Sequence, residues 1–193
     1  MRRIGFVALF MVLLSGSLFS CATSYQAYRA DIFEGKKLLN TGDYGKARED
    51  FTKAAQAEPG EPASYALAAT AAYKLGDFDA ARTYIQEAAK RDRHSDSSIR
   101  ILGYGSLILL KEGKEQEGLE ALHKYILAYQ NEYAPFNVRQ VERMWRTKKI
   151  DLASLENLLD DEIGTYESDM ELFRRSGTGW FAQKYMPPPG GPW

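Results

Sequence analysis

The chain has 193 residues, 25 Lys and Arg against 26 Asp and Glu, and 45% apolar side chains. This length allows one domain or at most two, and the ordinary apolar fraction argues against a disordered chain or a polytopic membrane protein. One cysteine and two distant histidines give no internal disulfide and little support for a metal centre. Because the formal net charge is −1, non-specific nucleic-acid binding is not expected. We predict no metal, no cofactor and no nucleic-acid partner.

The first twenty residues have the layout of a secretory signal. Residues 1–3 carry two arginines, residues 4–14 form an apolar stretch interrupted only by Gly5, and small residues begin at Ser15. Since a bilayer span needs about 20 apolar residues, this stretch is too short for a comfortable transmembrane helix. Residues 1–20 are therefore predicted to be a signal peptide, with an uncleaved membrane anchor as the alternative.

This segment ends in the run Leu18-Phe19-Ser20-Cys21, which resembles the lipobox of bacterial lipoprotein precursors. The resemblance implies that the Cys21 thiol is diacylated, that the chain is cut before this cysteine, and that residues 21–24 tether the body to a membrane, where two or three acyl chains hold it stably. Ala22 in place of Asp implies the outer membrane of a bacterial cell envelope, with the body facing the periplasm. A free or buried thiol after an ordinary signal-peptidase cut is the alternative.

The body of the chain contains an internal repeat. Two segments align with an offset of 34 residues, Gly42-Asp43-Tyr44-Gly45-Lys46-Ala47 and Gly76-Asp77-Phe78-Asp79-Ala80-Ala81. Gly-Asp-aromatic at each turn supplies a helix stop, a cap and a first packing residue. This pattern resembles the tetratricopeptide repeat, whose period is 34 residues. A third, weaker unit with an offset of 37 follows a polar break at 91–98.

The predicted fold class is all-α, a solenoid of about three TPR-like helical hairpins over residues 25–133. Residues 134–175 keep the helical period without the repeat and are predicted to form C-terminal capping helices. From Ser176 onward Gly and Pro recur, so 176–193 is predicted to be a flexible tail. Four aromatic residues in it either dock back on the repeats or wait for a partner: Trp180, Phe181, Tyr185 and Trp193.

In tetratricopeptide proteins the first helix of each pair lines a concave groove that holds a peptide or a partner helix. The resemblance implies a partner groove formed by Arg29, Lys36, Asn40, Thr70, Tyr73, Lys74, Arg100, Tyr104, Leu107 and Lys111. Its basic and aromatic character favours a peptide with acidic groups. Chaperone-type carboxylate clamps are not matched, because Ile32 and Lys36 replace their Lys and Asn. The alternatives are a groove partly filled by the C-terminal segment, or a glycan stacked on Tyr73 and Tyr104.

A second surface follows from segregated charge. Arg139, Arg143 and Arg146 recur at helical spacing, whereas residues 151–171 contain eight acidic residues and no Lys or Arg. The basic helix either packs beside the acidic helix or meets anionic lipid or an acidic partner near the membrane.

No catalytic pattern is present in the sequence. It lacks a G-x-S-x-G elbow, a Walker loop and an H-E-x-x-H pair, so an enzyme is not expected. We predict a membrane-anchored scaffold that binds another protein or peptide. Tetratricopeptide lipoproteins of this size resemble assembly factors of type IV pilus secretins and of outer-membrane machinery, which implies a role in cell-envelope assembly. A carrier or sensor that binds a small molecule or a peptidoglycan fragment is the alternative function.

Overall fold

A computed structural model describes residues 23–93, 96–133 and 138–185, and every regular element in these ranges is a helix. The chain divides into two compact units, Met1–Arg91 and Asp92–Trp193. The prediction of an all-α fold made of TPR-like hairpins is confirmed. Cys21, the signal-like segment and Trp193 lie outside the described residues. Within the described ranges no helix is both long enough and apolar enough to cross a membrane.

Residues 23–91, the described part of the first unit, form four helices in two hairpins. They are α1 (23–40), α2 (Tyr44–Ala57), α3 (Pro62–Lys74) and α4 (Phe78–Arg91), and α3 packs against both α2 and α4. Gly42 and Gly76 have φ of +82° and +77°, a left-handed conformation that favours glycine. The Asp43 carboxylate then accepts a hydrogen bond from the Lys46 N–H and caps α2. The Gly-Asp-aromatic prediction therefore holds at both turns.

Small residues let these helices approach closely, as the sequence predicts. Ala47 and Phe51 of α2 are buried with Leu67 of α3, and Ile32 of α1 packs against the same cluster. A Cβ atom built on Gly35 would lie 2.5 Å from Phe51 Cε1, so only glycine fits there without movement. Close approach of α1 to α2 thus depends on one missing methyl group.

The described residues of the second unit form five helices. They are α5 (Ser98–Lys111), α6 (Glu115–Glu132), α7 (Arg139–Thr147), α8 (Leu152–Ser176) and α9 (Trp180–Tyr185). Helices α5 and α6 form the predicted third hairpin, with Gly113 at φ +75° in the turn. The long helix α8 packs along α5, α7 contacts α6 and α8, and α9 contacts α8. The capping segment therefore covers α5 in particular.

The structure corrects two predicted boundaries. Helix α1 already includes Thr23 and Ser24, which were predicted to belong to a tether. Ser24 Oγ donates to the Ala57 carbonyl at 2.6 Å, so the start of α1 is joined to the end of α2. The predicted flexible tail contains α9, whose Phe181 is fully buried against Tyr133. Aromatic burial outweighs the Gly-rich sequence around α9, so this part of the tail docks on its own unit.

Candidate partner-binding surfaces

Four carboxylate side chains of α8 contact hydroxyl or guanidinium groups of the α5 and α6 hairpin. Asp160 and Glu167, seven residues apart, reach α5, whereas Glu162 and Asp169, also seven residues apart, reach α6 and Tyr133, the residue that follows α6. Seven residues are about two helical turns, so each pair occupies one side of α8. We call these four residues the acidic face of α8.

On the α5 side, Arg100 is the main partner of this acidic face. Its Nε donates to Glu167 Oε1 at 2.7 Å and its Nη2 donates to Glu167 Oε2 at 3.1 Å. Burial lowers the pKa of the Arg100 guanidinium, but the Glu167 carboxylate, together with Tyr104 and Asp160, more than reverses this, so the pKa is raised. The Tyr104 hydroxyl donates to Asp160, and burial followed by the Asp160 charge raises the pKa of Tyr104 well above its usual value. Both donors therefore keep their protons throughout the neutral range.

On the α6 side, the acidic face includes a buried carboxyl. The Tyr125 hydroxyl donates to Glu162 Oε2 at 2.7 Å, and only 5% of Glu162 is exposed. Burial raises the pKa of Glu162 to about 7, although the Tyr125 hydrogen bond acts in the opposite direction. Two helical turns further along α8, Asp169 accepts a hydrogen bond from the Tyr133 hydroxyl. Four separate polar contacts thus fix the position of α8 on the α5 and α6 hairpin.

The predicted groove is closed at α5. Arg100, Tyr104 and Leu107 were expected to face a partner, but they are buried, and the first two bind α8. This part of the prediction is wrong, because α8 is long enough to lie along the α5 helix and carries matching carboxylates. At α5 the structure agrees with the alternative in which a C-terminal segment of the same chain fills the groove, and that segment is α8.

The two groove positions in the middle of α3 are also closed. Thr70 and Tyr73 are buried, Thr70 Oγ1 donates to the Ala66 carbonyl, and the Tyr73 ring contacts the Phe78 ring edge-on at 5.5 Å. Helix α3 is rich in alanine, so its neighbours approach on most sides and leave these side chains no exposed surface. With Tyr73 and Tyr104 both buried, the glycan alternative loses its two stacking residues. Of the remaining groove residues in these two helices, Lys74 is half-buried and Lys111 is exposed.

The open part of the predicted groove is on α1. Arg29 and Asn40 are exposed and Lys36 is half-buried, as expected for partner-facing positions. Between them lies Phe33, which is 72% exposed and was not among the predicted residues. Its position four residues after Arg29 places it on the same side of the helix. This spacing could have identified Phe33 as a partner-facing residue from the sequence. We call Tyr25, Arg29, Phe33, Lys36 and Asn40 the α1 face; it contains no carboxylate.

The three predicted basic residues of α7 are exposed. Arg146 pairs with Glu142 of the same helix at 2.5 Å, and Arg139 and Arg143 line an open cavity of about 460 Å³ together with Asp161 of α8. The structure therefore agrees with the alternative in which the basic helix, α7, packs beside the acidic helix, α8. Surface pairs of this kind contribute about 0–1 kcal/mol, so they add little to stability.

The fold and these surfaces define a protein of repeated helical hairpins, in which the α1 face is exposed among the described residues of the first unit. The family model for the tetratricopeptide repeat matches residues 38–102, from the end of α1 into α5. Small glutamine-rich tetratricopeptide repeat-containing protein 2 of Mycosarcoma maydis is 32% identical over 91 residues, which are 47% of this chain. The matched part is 25% of that protein, so the chain spans about a quarter of this relative's length.

Two solved structures share the fold. The TPR2B domain of yeast Sti1, solved as a complex with pHsp70, aligns with a TM-score of 0.56 and 17% identity, covering 64% of this chain and 99% of that domain. The Sgt2 TPR domain from Aspergillus fumigatus aligns with a TM-score of 0.50 and 16% identity, covering 79% of this chain and 84% of that domain. At this level of identity these likenesses show the fold, a set of TPR-like helical hairpins, and the tetratricopeptide-repeat model matches residues 38–102 of it.

Proposed function

We propose that this protein is a non-catalytic scaffold that binds another protein through the α1 face. The observation that carries the proposal is Phe33, an aromatic side chain that is 72% exposed at the centre of a helical face. Large aromatic residues flanked by cations are typical anchors of protein interfaces, because they bury much area at little cost in side-chain entropy. Arg29 and Lys36 supply those cations on either side of Phe33.

We further propose that the scaffold is a lipoprotein of the bacterial cell envelope, anchored to the outer membrane and serving envelope assembly. The support for this narrower role is the lipobox-like run that ends at Cys21 together with the signal-like segment before it. Helix α1 includes residue 23, so only Ala22 separates it from the proposed lipid attachment point. In this arrangement α1 begins within a few residues of the lipid attachment point, so the α1 face lies close to the membrane surface.

A photo-crosslinking amino acid at position 33 of the full chain tests the binding role in cells. We expect a discrete crosslinked product that is identified by mass spectrometry. The same amino acid at Leu75, which is also exposed and apolar in the first unit, is the control and should give no such product. If position 33 gives no product, or both positions give the same products, the α1 face is not the binding surface.

The membrane anchor is tested separately. Metabolic labelling with a palmitate analogue should modify the full chain and place it in the membrane fraction. The Cys21→Ser variant should lose the label and leave that fraction. A labelled Cys21→Ser variant, or an unlabelled parent chain, would contradict lipid attachment at this cysteine.

A further inference from the structure

In the sequence alignment of the repeats, residues of the α1 face correspond to residues of the covered face of α5. The sequence offset between the two helices is 71 residues, which aligns Arg29 with Arg100 and Phe33 with Tyr104. Both positions thus hold an arginine followed four residues later by an aromatic residue. In α5 this pair is buried under α8, and in α1 it is exposed.

Helix α8 shows which chemistry the covered face of α5 accepts. Glu167 binds Arg100 and Asp160 binds Tyr104, while the buried apolar side chain Ile163 lies between these two carboxylates in sequence. Ile163 Cδ1 would lie 2.9 Å from a Cβ atom built on Gly103, so the apolar row of α8 fits directly against α5. The occupant is an acidic amphipathic helix with carboxylates two turns apart beside an apolar row.

We propose that the α1 face binds an acidic amphipathic helix of a partner protein, in the way that the α5 face binds α8. This inference rests on the proposed function and adds the chemical class of the partner. One carboxylate of the partner helix pairs with Arg29, and an apolar side chain packs on Phe33. Lys36 lies seven residues after Arg29, so it meets a second carboxylate two turns away.

The α1 face differs from the α5 face in one informative respect. Tyr104 donates its hydroxyl to a carboxylate, whereas Phe33 has no hydroxyl group. The partner helix therefore needs an apolar residue opposite Phe33, because a buried carboxylate there would lose its hydrogen bonds to water without replacement. Its two carboxylates belong opposite Arg29 and Lys36.

A peptide with the sequence of α8, residues 152–176, is the probe. It is labelled with fluorescein and titrated with the full chain carrying Cys21→Ser, and binding is followed by anisotropy. We expect saturable binding that Phe33→Ala and Arg29→Gln each weaken about tenfold or more. Leu75→Ala and Lys53→Gln remove a matched apolar side chain and a matched charge from the first unit, and they should leave binding unchanged.

The peptide itself has a control. A version carrying Asp160→Asn and Glu167→Gln keeps the apolar row and should bind about tenfold more weakly or worse. If the peptide binds but Phe33→Ala has no effect, it is replacing α8 on α5, and the proposal is overturned. Absence of any binding to the parent chain would also overturn it.

Vesicles distinguish a lipid surface from a protein partner. If phosphatidylglycerol vesicles bind the Cys21→Ser chain, lose binding with Phe33→Ala, and the peptide does not bind, the α1 face recognises anionic lipid and the proposal is wrong. A crosslinked protein at position 33 without peptide binding would leave the proposed scaffold function intact. In that case only the acidic-helix inference fails.

Discussion

Arg100 of α5 and Glu167 of α8 form a bidentate pair, with donor–acceptor distances of 2.7 and 3.1 Å, across 67 residues of sequence. The pair lies beside the Tyr104 and Asp160 contact on the same side of α8. Together they join the third repeat hairpin to the C-terminal helix. Because both side chains are largely buried, breaking this pair should cost more stability than breaking a surface ion pair.

Removing one member of this pair should destabilise the second unit strongly. Glu167→Gln removes the carboxylate that pairs with the buried Arg100 guanidinium, and the expected loss in the free energy of unfolding is about 3–5 kcal/mol. Urea denaturation followed by circular dichroism measures it. Glu142→Gln breaks the exposed pair with Arg146 and should cost no more than about 1 kcal/mol. Equal losses in the two variants would mean that α8 does not hold Arg100 in solution.

The stability of the second unit should depend on pH through Glu162. Burial raises the pKa of this carboxyl from 4.5 to about 7 in the folded state, so the folded chain binds the proton more tightly than the unfolded chain. This stabilising effect is fully present below about pH 4.5 and is lost as the pH rises through about 7. From pH 5 to pH 8 the loss should be about 2–3 kcal/mol.

The matched control for this pH dependence is Glu162→Gln. The amide still accepts the Tyr125 hydrogen bond but has no titratable proton. Denaturation curves at several pH values should therefore show a smaller difference between pH 5 and pH 8 in this variant than in the parent. An unchanged difference would assign the pH dependence to other groups.

Gly35→Ala should destabilise the first unit although alanine favours helices. Its Cβ would lie 2.5 Å from Phe51 Cε1, and Phe51 is fully buried and has little room to move. Overpacking of this kind costs about 1–3 kcal/mol. Gly45→Ala in α2 is the control, since no atom lies within 4 Å of the added methyl group. Thermal unfolding should show a lower midpoint for Gly35→Ala only; a neutral result would mean that α1 and α2 are further apart.

Phe181→Ala should show whether α9 is docked in solution. Phe181 is fully buried, and its ring lies 5.5 Å from the Tyr133 ring and 5.6 Å from the Tyr166 ring. Truncation of such a side chain costs about 3–5 kcal/mol. Tyr185→Ala in the same helix removes a half-exposed ring and should cost much less. Similar unfolding midpoints for both variants would indicate that α9 detaches readily.

Local rules explain what the sequence alone could predict. Gly76 requires a left-handed turn and Asp77 caps the helix that follows, so hairpin positions depend on neighbouring residues and were predictable. Exposure of Arg29 on α1 followed from the repeat pattern. Lipid attachment at Cys21 is likewise predicted from the N-terminal run alone, without any tertiary information, and the labelling experiment tests it.

Tertiary structure decided which repeat faces stay open. The same arginine and aromatic pattern is exposed at Arg29 and Phe33 and buried at Arg100 and Tyr104. Nothing near Arg100 in sequence distinguishes the two cases, because the covering residues belong to α8, about 60 residues later. Side-chain type and helical spacing determine what a face can bind, but whether it is already occupied depends on the path of a distant helix and on the carboxylates that this helix brings to the contact.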